Sequence, residues 1–272
     1  MGLEKRTIKI IISVLVISII IGCSLGLLFV YLFYKASYIE LQLWPHLPDD
    51  DQRLIHFKTA EPGTWHPWVH RINDLLKEYE TSTPEDPPNA PCSTHPYHEE
   101  SGRSEACVHA MKYWHPCTID TLYEYVRGTP CVFLRLAHID QWTPQPYNTS
   151  MDLPIPNDMP DHLKKGLNHP SAKLEDYVWV SCKGKSPVDD ENIRHIRYIP
   201  EFLPPGFPIR RLHTADKEAS FTANDGGPLV AVLFQNLTRG VIISVECRIW
   251  TRDVAYDGIS DVGRTTFELL VD

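Results

Sequence analysis

The chain has 272 residues and a formal net charge of −9 at pH 7. That acidity argues against nucleic acid as a partner, because a phosphate backbone is met by a basic surface. Of the 23 prolines most lie between Pro45 and Pro170 and limit helix in that half of the chain.

Residues 1–9 are too short to fold. Residues 10–34, IIISVLVISIIIGCSLGLLFVYLFY, contain no charge. At about 1.5 Å per residue the run reaches roughly 37 Å, enough to cross a hydrocarbon core of about 30 Å. Amides in lipid must be satisfied within the segment, so a helix is expected. A cleavable signal peptide would have a shorter apolar region and a small-residue cleavage site. This run ends in Phe29, Tyr31, Phe33 and Tyr34, which suit a membrane interface. The expectation is an uncleaved anchor.

Lys5, Arg6 and Lys9 precede the run, and Glu40 and Asp49–Asp51 follow it beyond Lys35. This asymmetry puts the N-terminus in the cytosol and residues 35–272 outside. Gly22 and Gly26 form a G-x-x-x-G pair that lets a second helix approach. Tyr31 and Tyr34 either face that helix or lie among the headgroups.

About 238 residues then lie outside, enough for one large domain or two small ones. Of seven cysteines, Cys23 lies in the apolar run. Cys92, Cys107, Cys117, Cys131, Cys182 and Cys247 lie outside, an even number that reads as three disulfides in an oxidising compartment. Spacing alone does not choose among the connectivities. Two sequons, at Asn148 and Asn236, agree with this topology.

Residues 35–66 read as a proline-punctuated extracellular stalk, and residues 67–272 as the folded ectodomain. Trp68, Ile72, Leu75, Leu76 and Tyr79 share one face of a helix, with Pro67 in its first turn. Residues 81–104 read as a loop. Strands are expected at 131–139, 177–182, 193–199, 229–235, 240–250 and 265–271, separated by a proline-rich loop at 147–173. In the 240–250 strand, Val241, Ile243, Val245, Cys247 and Ile249 share one face. Period-2 strands with turns between them point to an antiparallel sandwich. A bond from Cys182 to Cys247 would join either two sheets or two neighbouring strands.

The sequence contains no G-x-S-x-G and no H-E-x-x-H, and three disulfides would leave no nucleophilic cysteine outside. Cys92-x-x-His95-x-x-His98 has the spacing of a metal site, but oxidation of the cysteines would remove the thiolates. Gly184-Lys185-Ser186 lacks the earlier glycine of a phosphate loop, since Trp179 occupies that position. The acids at Asp49–Asp51 and Asp189–Glu191 read as solvated turns. No cofactor is expected. A binding or accessory role is expected over an enzyme, and a membrane-anchored ectoenzyme would rest on the metal-like loop alone.

Several stretches resemble the beta subunits of the sodium/potassium-transporting ATPase and of the related proton/potassium pump. They are His56-Phe57-Lys58 through Tyr79, Tyr125-Val126-Arg127-Gly128-Thr129-Pro130-Cys131, Cys182-Lys183-Gly184-Lys185, Pro205-Gly206-Phe207-Pro208, Pro228 through Val232, Gln235-Asn236-Leu237-Thr238 and Val245-Glu246-Cys247. They keep the family's order. The resemblance implies sequential disulfides, Cys92–Cys107, Cys117–Cys131 and Cys182–Cys247. It implies an immunoglobulin-like sandwich with long loop insertions and one amphipathic helix. It also implies a non-catalytic role in the plasma membrane: folding with a catalytic alpha subunit, stabilising and delivering it, and tuning cation transport.

Three features depart from the pattern. The family's cytosolic Gly-Arg-Thr segment has no counterpart in residues 1–9. Thr118-Ile119 stands where Ser-Gly is usual. Ile209-Arg210-Arg211-Leu212-His213-Thr214 replaces a tyrosine-rich cluster that helps contact the alpha subunit. Loss of those aromatics removes large contact area. Expected alpha-subunit contacts are therefore Gly22, Gly26, Tyr31 and Tyr34 in the membrane, and Phe207, Arg210 and Arg211 outside it. Contacts in trans with other beta subunits are a further expectation. The rival expectation is a pump-independent adhesion or receptor glycoprotein of the same fold.

Overall fold

The computed structural model describes residues 14–27, 39–46, 53–82, 114–137, 142–147, 155–167, 177–201, 205–209, 229–254 and 262–272. The chain forms two units, Met1–Tyr38 and Ile39–Asp272. In the first, residues 14–27 form helix α1, whose large apolar side chains, Val14 through Leu27, are exposed. Among the described residues no helix is long and apolar enough to cross a membrane. The rest of the 10–34 run, with Tyr31 and Tyr34, lies outside them.

The second unit is mainly β. Its strands are β1 (Glu40–Trp44), β2 (Leu54–Phe57), β3 (Cys131–Ala137), β4 (Tyr177–Gly184), β5 (Ile193–Ile199), β6 (Gly206–Pro208), β7 (Leu229–Leu237), β8 (Ile243–Trp250) and β9 (Arg264–Val271). One sheet has the order β1-β3-β7-β5 and the other β2-β9-β8-β4-β6. The sheets meet through a shared apolar core: Phe234 of β7 meets Phe267 of β9 edge-on, with ring centroids 5.9 Å apart.

Alternation explains the faces. Ile243, Val245, Cys247 and Ile249 of β8 are buried, as are Phe267, Leu269 and Val271 of β9. Val241 falls in the turn before β8 and is exposed, so it does not extend that face. β7 begins with six buried residues in succession, because it is a central strand covered on both sides.

Two expectations change. The stalk reading of residues 35–66 does not hold for β1 and β2, which pair with β3 and β9 inside the two sheets. Their period is too short to read from four or five residues between prolines. The all-antiparallel expectation also gives way at one pair, since β2 runs parallel to β9. The two strands are more than two hundred residues apart in sequence, so the long crossover that parallel pairing needs is available.

The amphipathic helix is α2, Pro62–Ser82. It begins earlier than the sequence suggests, so Pro67 lies inside it rather than in its first turn. The reason is the Thr64 hydroxyl, which accepts from the Lys58 N–H at 2.9 Å and donates to the Glu61 carbonyl at 2.7 Å, organising a start upstream of Pro67. Trp65, Val69, Ile72, Leu75 and Leu76 form the buried stripe. Trp68 is half-buried, and the Tyr79 side chain lies outside the description.

Two short helices were not legible. Helix α3 (Asp161–Leu167) lies within the proline-rich loop, and α4 (Pro187–Asn192) joins β4 to β5. Between α2 and β3, Ile119–Arg127 makes tight turns across a kink. There Leu122, Tyr123 and Glu124 all take left-handed φ, at 53°, 49° and 63°. Such angles are unfavourable for side-chain-bearing residues and persist because burial of Tyr123 and Tyr125 holds them.

Candidate partner-binding and modification sites

Cys117 is bonded to Cys131, at the start of β3. Trp114 and Tyr123 pack on the Phe133 ring two residues further on, at 5.5 and 6.0 Å between centroids. Cys182 is bonded to Cys247. These two stand directly opposite one another on β4 and β8, so the bond joins neighbouring strands of one sheet, not the two sheets. Cys92 and Cys107, with the metal-like loop around them, lie outside the described residues. Among the described residues no group of His, Cys, Asp or Glu is placed to hold a metal.

Among the described residues, one polar tie between the sheets comes from Tyr198 of β5. β6 covers the edge of β4 only from Tyr177 to Trp179. Beyond it, the Val180 N–H is taken by the Pro205 carbonyl at 2.9 Å and the Cys182 N–H by the Tyr198 hydroxyl at 2.8 Å. Burial pushes the Tyr198 phenol well above its ordinary value, and its bond to the Cys182 backbone only partly opposes that. His162 of α3 stacks on the same tyrosine at 5.8 Å. Burial lowers the His162 pKa, with neighbouring Asp161 opposing.

Phe207 is fully buried in the main core. It therefore packs β6 against the sandwich and does not present its ring to a partner, contrary to the expectation. Gly206 explains how it gets there: a Cβ on this residue would lie 2.3 Å from the Val178 carbonyl oxygen. Arg210 and Arg211 lie outside the described residues. In α1, a Cβ added at Gly22 or Gly26 would meet nothing within 4 Å, so both glycines leave their side of the helix open.

Of the two sequon asparagines, Asn148 lies outside the described residues. Asn236 is exposed near the end of β7 and takes a left-handed φ of 58°. Asparagine tolerates that region better than most residues.

Two further polar clusters among the described residues brace the framework. Ser186, the end of the Gly-Lys-Ser stretch, caps α4 in a reciprocal box with Asp189. The Asp189 carboxylate also accepts from the Ser244 N–H at 2.9 Å, and Asp190 accepts from the Gly184 N–H at 3.0 Å. Burial tends to raise the Asp189 pKa, but the bonds from Ser186 and Ser244 outweigh it and the net shift is downward.

A second cluster carries no sequence motif. Glu246 of β8 is buried and accepts from Arg248, with Arg264 of β9 at 3.5 Å. Arg248 also pairs with Asp158 at 2.7 Å, tying down the segment that leads into α3. Below α3, Tyr147, Met159, Leu163, Leu167, Tyr177, Trp179 and Trp250 make a separate apolar cluster on the outer face of the sheet. The signal for it was the aromatic residues at alternate positions 177 and 179, which the loop reading of 147–173 left without a cover.

A family model described as the sodium/potassium ATPase beta chain matches residues 36–268. The chain belongs to this beta-chain family. The match spans both sheets, from before β1 to within β9, and excludes α1. Among relatives, sodium/potassium-transporting ATPase subunit beta-2 of Drosophila melanogaster is 33% identical, covering 84% of this chain and 68% of that protein. Subunit beta-1 of the same organism is 31% identical, over 80% and 66%. Subunit beta-1 of Tetronarce californica is 26% identical, over 78% and 68%. The chain thus spans about two thirds of the length of these relatives. In this family member the two disulfides, the Tyr198 tie and buried Phe207 are all parts of the framework, and none forms a reaction centre.

Proposed function

We propose that the chain is a non-catalytic accessory subunit of a P-type sodium/potassium-transporting ATPase. It is anchored by residues 10–34 as a single-pass type II protein of the plasma membrane, with an immunoglobulin-like ectodomain outside the cell. The observation that carries this reading is the beta-chain match over residues 36–268. The role is to help fold, stabilise and deliver the catalytic subunit and to tune its cation transport.

In this reading Gly22 and Gly26, with Tyr31 and Tyr34, pack on a helix of the catalytic subunit. Arg210 and Arg211 carry the extracellular contact that aromatics would otherwise make. Asn148 and Asn236 bear N-linked glycans, and Cys92 and Cys107 form a third disulfide. The test is surface delivery of a catalytic subunit produced with and without this chain. Higher surface levels of the catalytic subunit and greater cation transport with the chain are expected. Unchanged surface levels would favour the rival reading, a pump-independent adhesion glycoprotein, for which the non-aromatic Ile209–Thr214 stretch is the best argument.

A further inference from the structure

Among the described residues few large apolar side chains outside α1 are exposed, and three of them sit at one end of the sandwich. Val188 of α4 is 67% exposed, and Val241 and Ile242 of the β7–β8 turn are 37% and 53% exposed. Backbone bonds make α4 and this turn one piece. The Lys185 N–H donates to the Ser244 carbonyl at 2.8 Å, and the Thr238 N–H donates to the Asn192 carbonyl at 3.1 Å. The Asp189 carboxylate closes the same junction from the α4 side. None of the three apolar side chains serves the core, and apolar groups gathered on a surface ordinarily have something to cover them.

The exposed sequon residue stands at this same end. Asn236 lies two residues before Thr238, whose amide is fixed to the last residue of α4. We infer that the N-linked oligosaccharide on Asn236 lies over α4 and the β7–β8 turn and covers Val188, Val241 and Ile242. This rests on the reading of Asn236 as an occupied acceptor. The chemistry suits the surface: the ring faces of pyranose sugars present C–H groups that pack on aliphatic side chains, while their hydroxyls stay in water. The left-handed backbone at Asn236 falls within the pairing of β7 with β5, which continues to Leu237 opposite Ile193, and the acceptor itself is exposed.

The test compares the full chain, made in a eukaryotic secretory host and held in mild detergent, with two variants. Thr238→Ala removes the acceptor sequence but keeps the Thr238 backbone bond and the Asn236 conformation. Asn236→Gly removes the acceptor and tolerates the same φ. Asn236→Gln is avoided, because glutamine there would be strained. Endoglycosidase mass shifts report occupancy. Hydroxyl-radical footprinting reports exposure at Val188, Val241 and Ile242, with Ile155 as the internal reference. Both variants are expected to lose one glycan and to label severalfold faster at the three residues, with Ile155 unchanged. A glycan present on the parent whose loss leaves the labelling unchanged would overturn the shielding. Protection that survives in both variants would overturn it too, and would assign the cover to a protein. A parent without a glycan at Asn236 would overturn the occupancy on which the inference stands.

Discussion

The hydroxyl of Tyr198, on β5 of one sheet, accepts the backbone N–H of Cys182, on β4 of the other, at 2.8 Å. It takes the place of the strand that β6 is too short to supply. Tyr198→Phe keeps the ring and removes the acceptor, leaving a buried amide unpaired. The cost is about 1–3 kcal/mol, read as a fall in unfolding free energy of the purified glycoprotein. No change would mean that the Tyr198 hydroxyl contributes nothing to holding the sheets together.

The disulfide beside it ties β4 to β8. Cys182→Ser with Cys247→Ser removes a bond that contributes about 2–5 kcal/mol. Impaired folding and low surface delivery are expected. Normal surface levels of the double variant would show that the bridge is dispensable.

His162 gives the fold an acid sensitivity. It stacks on Tyr198 while its outer edge stays exposed, and partial desolvation lowers its pKa, with Asp161 opposing, so the folded chain binds a proton less readily than the unfolded one. Its contribution is therefore complete above the ordinary imidazole value of about 6.5 and is lost as pH falls through the lowered value. His162→Gln should flatten the acid limb of the stability profile between pH 7 and the onset of carboxylate titration. A limb that is unchanged in the variant would place the sensitivity elsewhere.

Glu246 holds two arginines on the outer face of the second sheet. Glu246→Ala would leave Arg248 and Arg264 largely buried without their shared carboxylate, at a cost of about 3 kcal/mol. The same variant should loosen the Asp158 segment and raise hydrogen exchange in α3. Loss of stability without faster exchange in α3 would separate the network from the helix.

Gly206→Ala drives a Cβ into the Val178 carbonyl and must lift β6, with Phe207, off the core. Overpacking of this kind costs about 1–3 kcal/mol. Lower yield of folded glycoprotein is expected, against parental yield for Gly63→Ala, where an added Cβ meets nothing within 4 Å.

Much of the sandwich was legible because its strands alternate or are wholly apolar. β7, β8 and β9 announce themselves through Leu229–Phe234, Val245–Ile249 and Phe267–Val271. β1 and β2 were not, since Glu40–Trp44 and Leu54–Phe57 are too short to show a period and earn their place by pairing with distant strands. The helix α3 was hidden by flanking prolines. Sequence reading placed Phe207 at a partner surface because a motif marks the segment, but a motif does not say which way a ring points. Tyr198 carries no local signal at all: its role depends on where β6 stops.

This beta-chain family member is expected to work in company with a catalytic subunit. The most direct measurement is purification of the native protein in mild detergent, followed by mass identification of what accompanies it. A stoichiometric multi-span P-type ATPase is the expected companion. Recovery of the glycoprotein alone, or only with further copies of itself, would contradict the account.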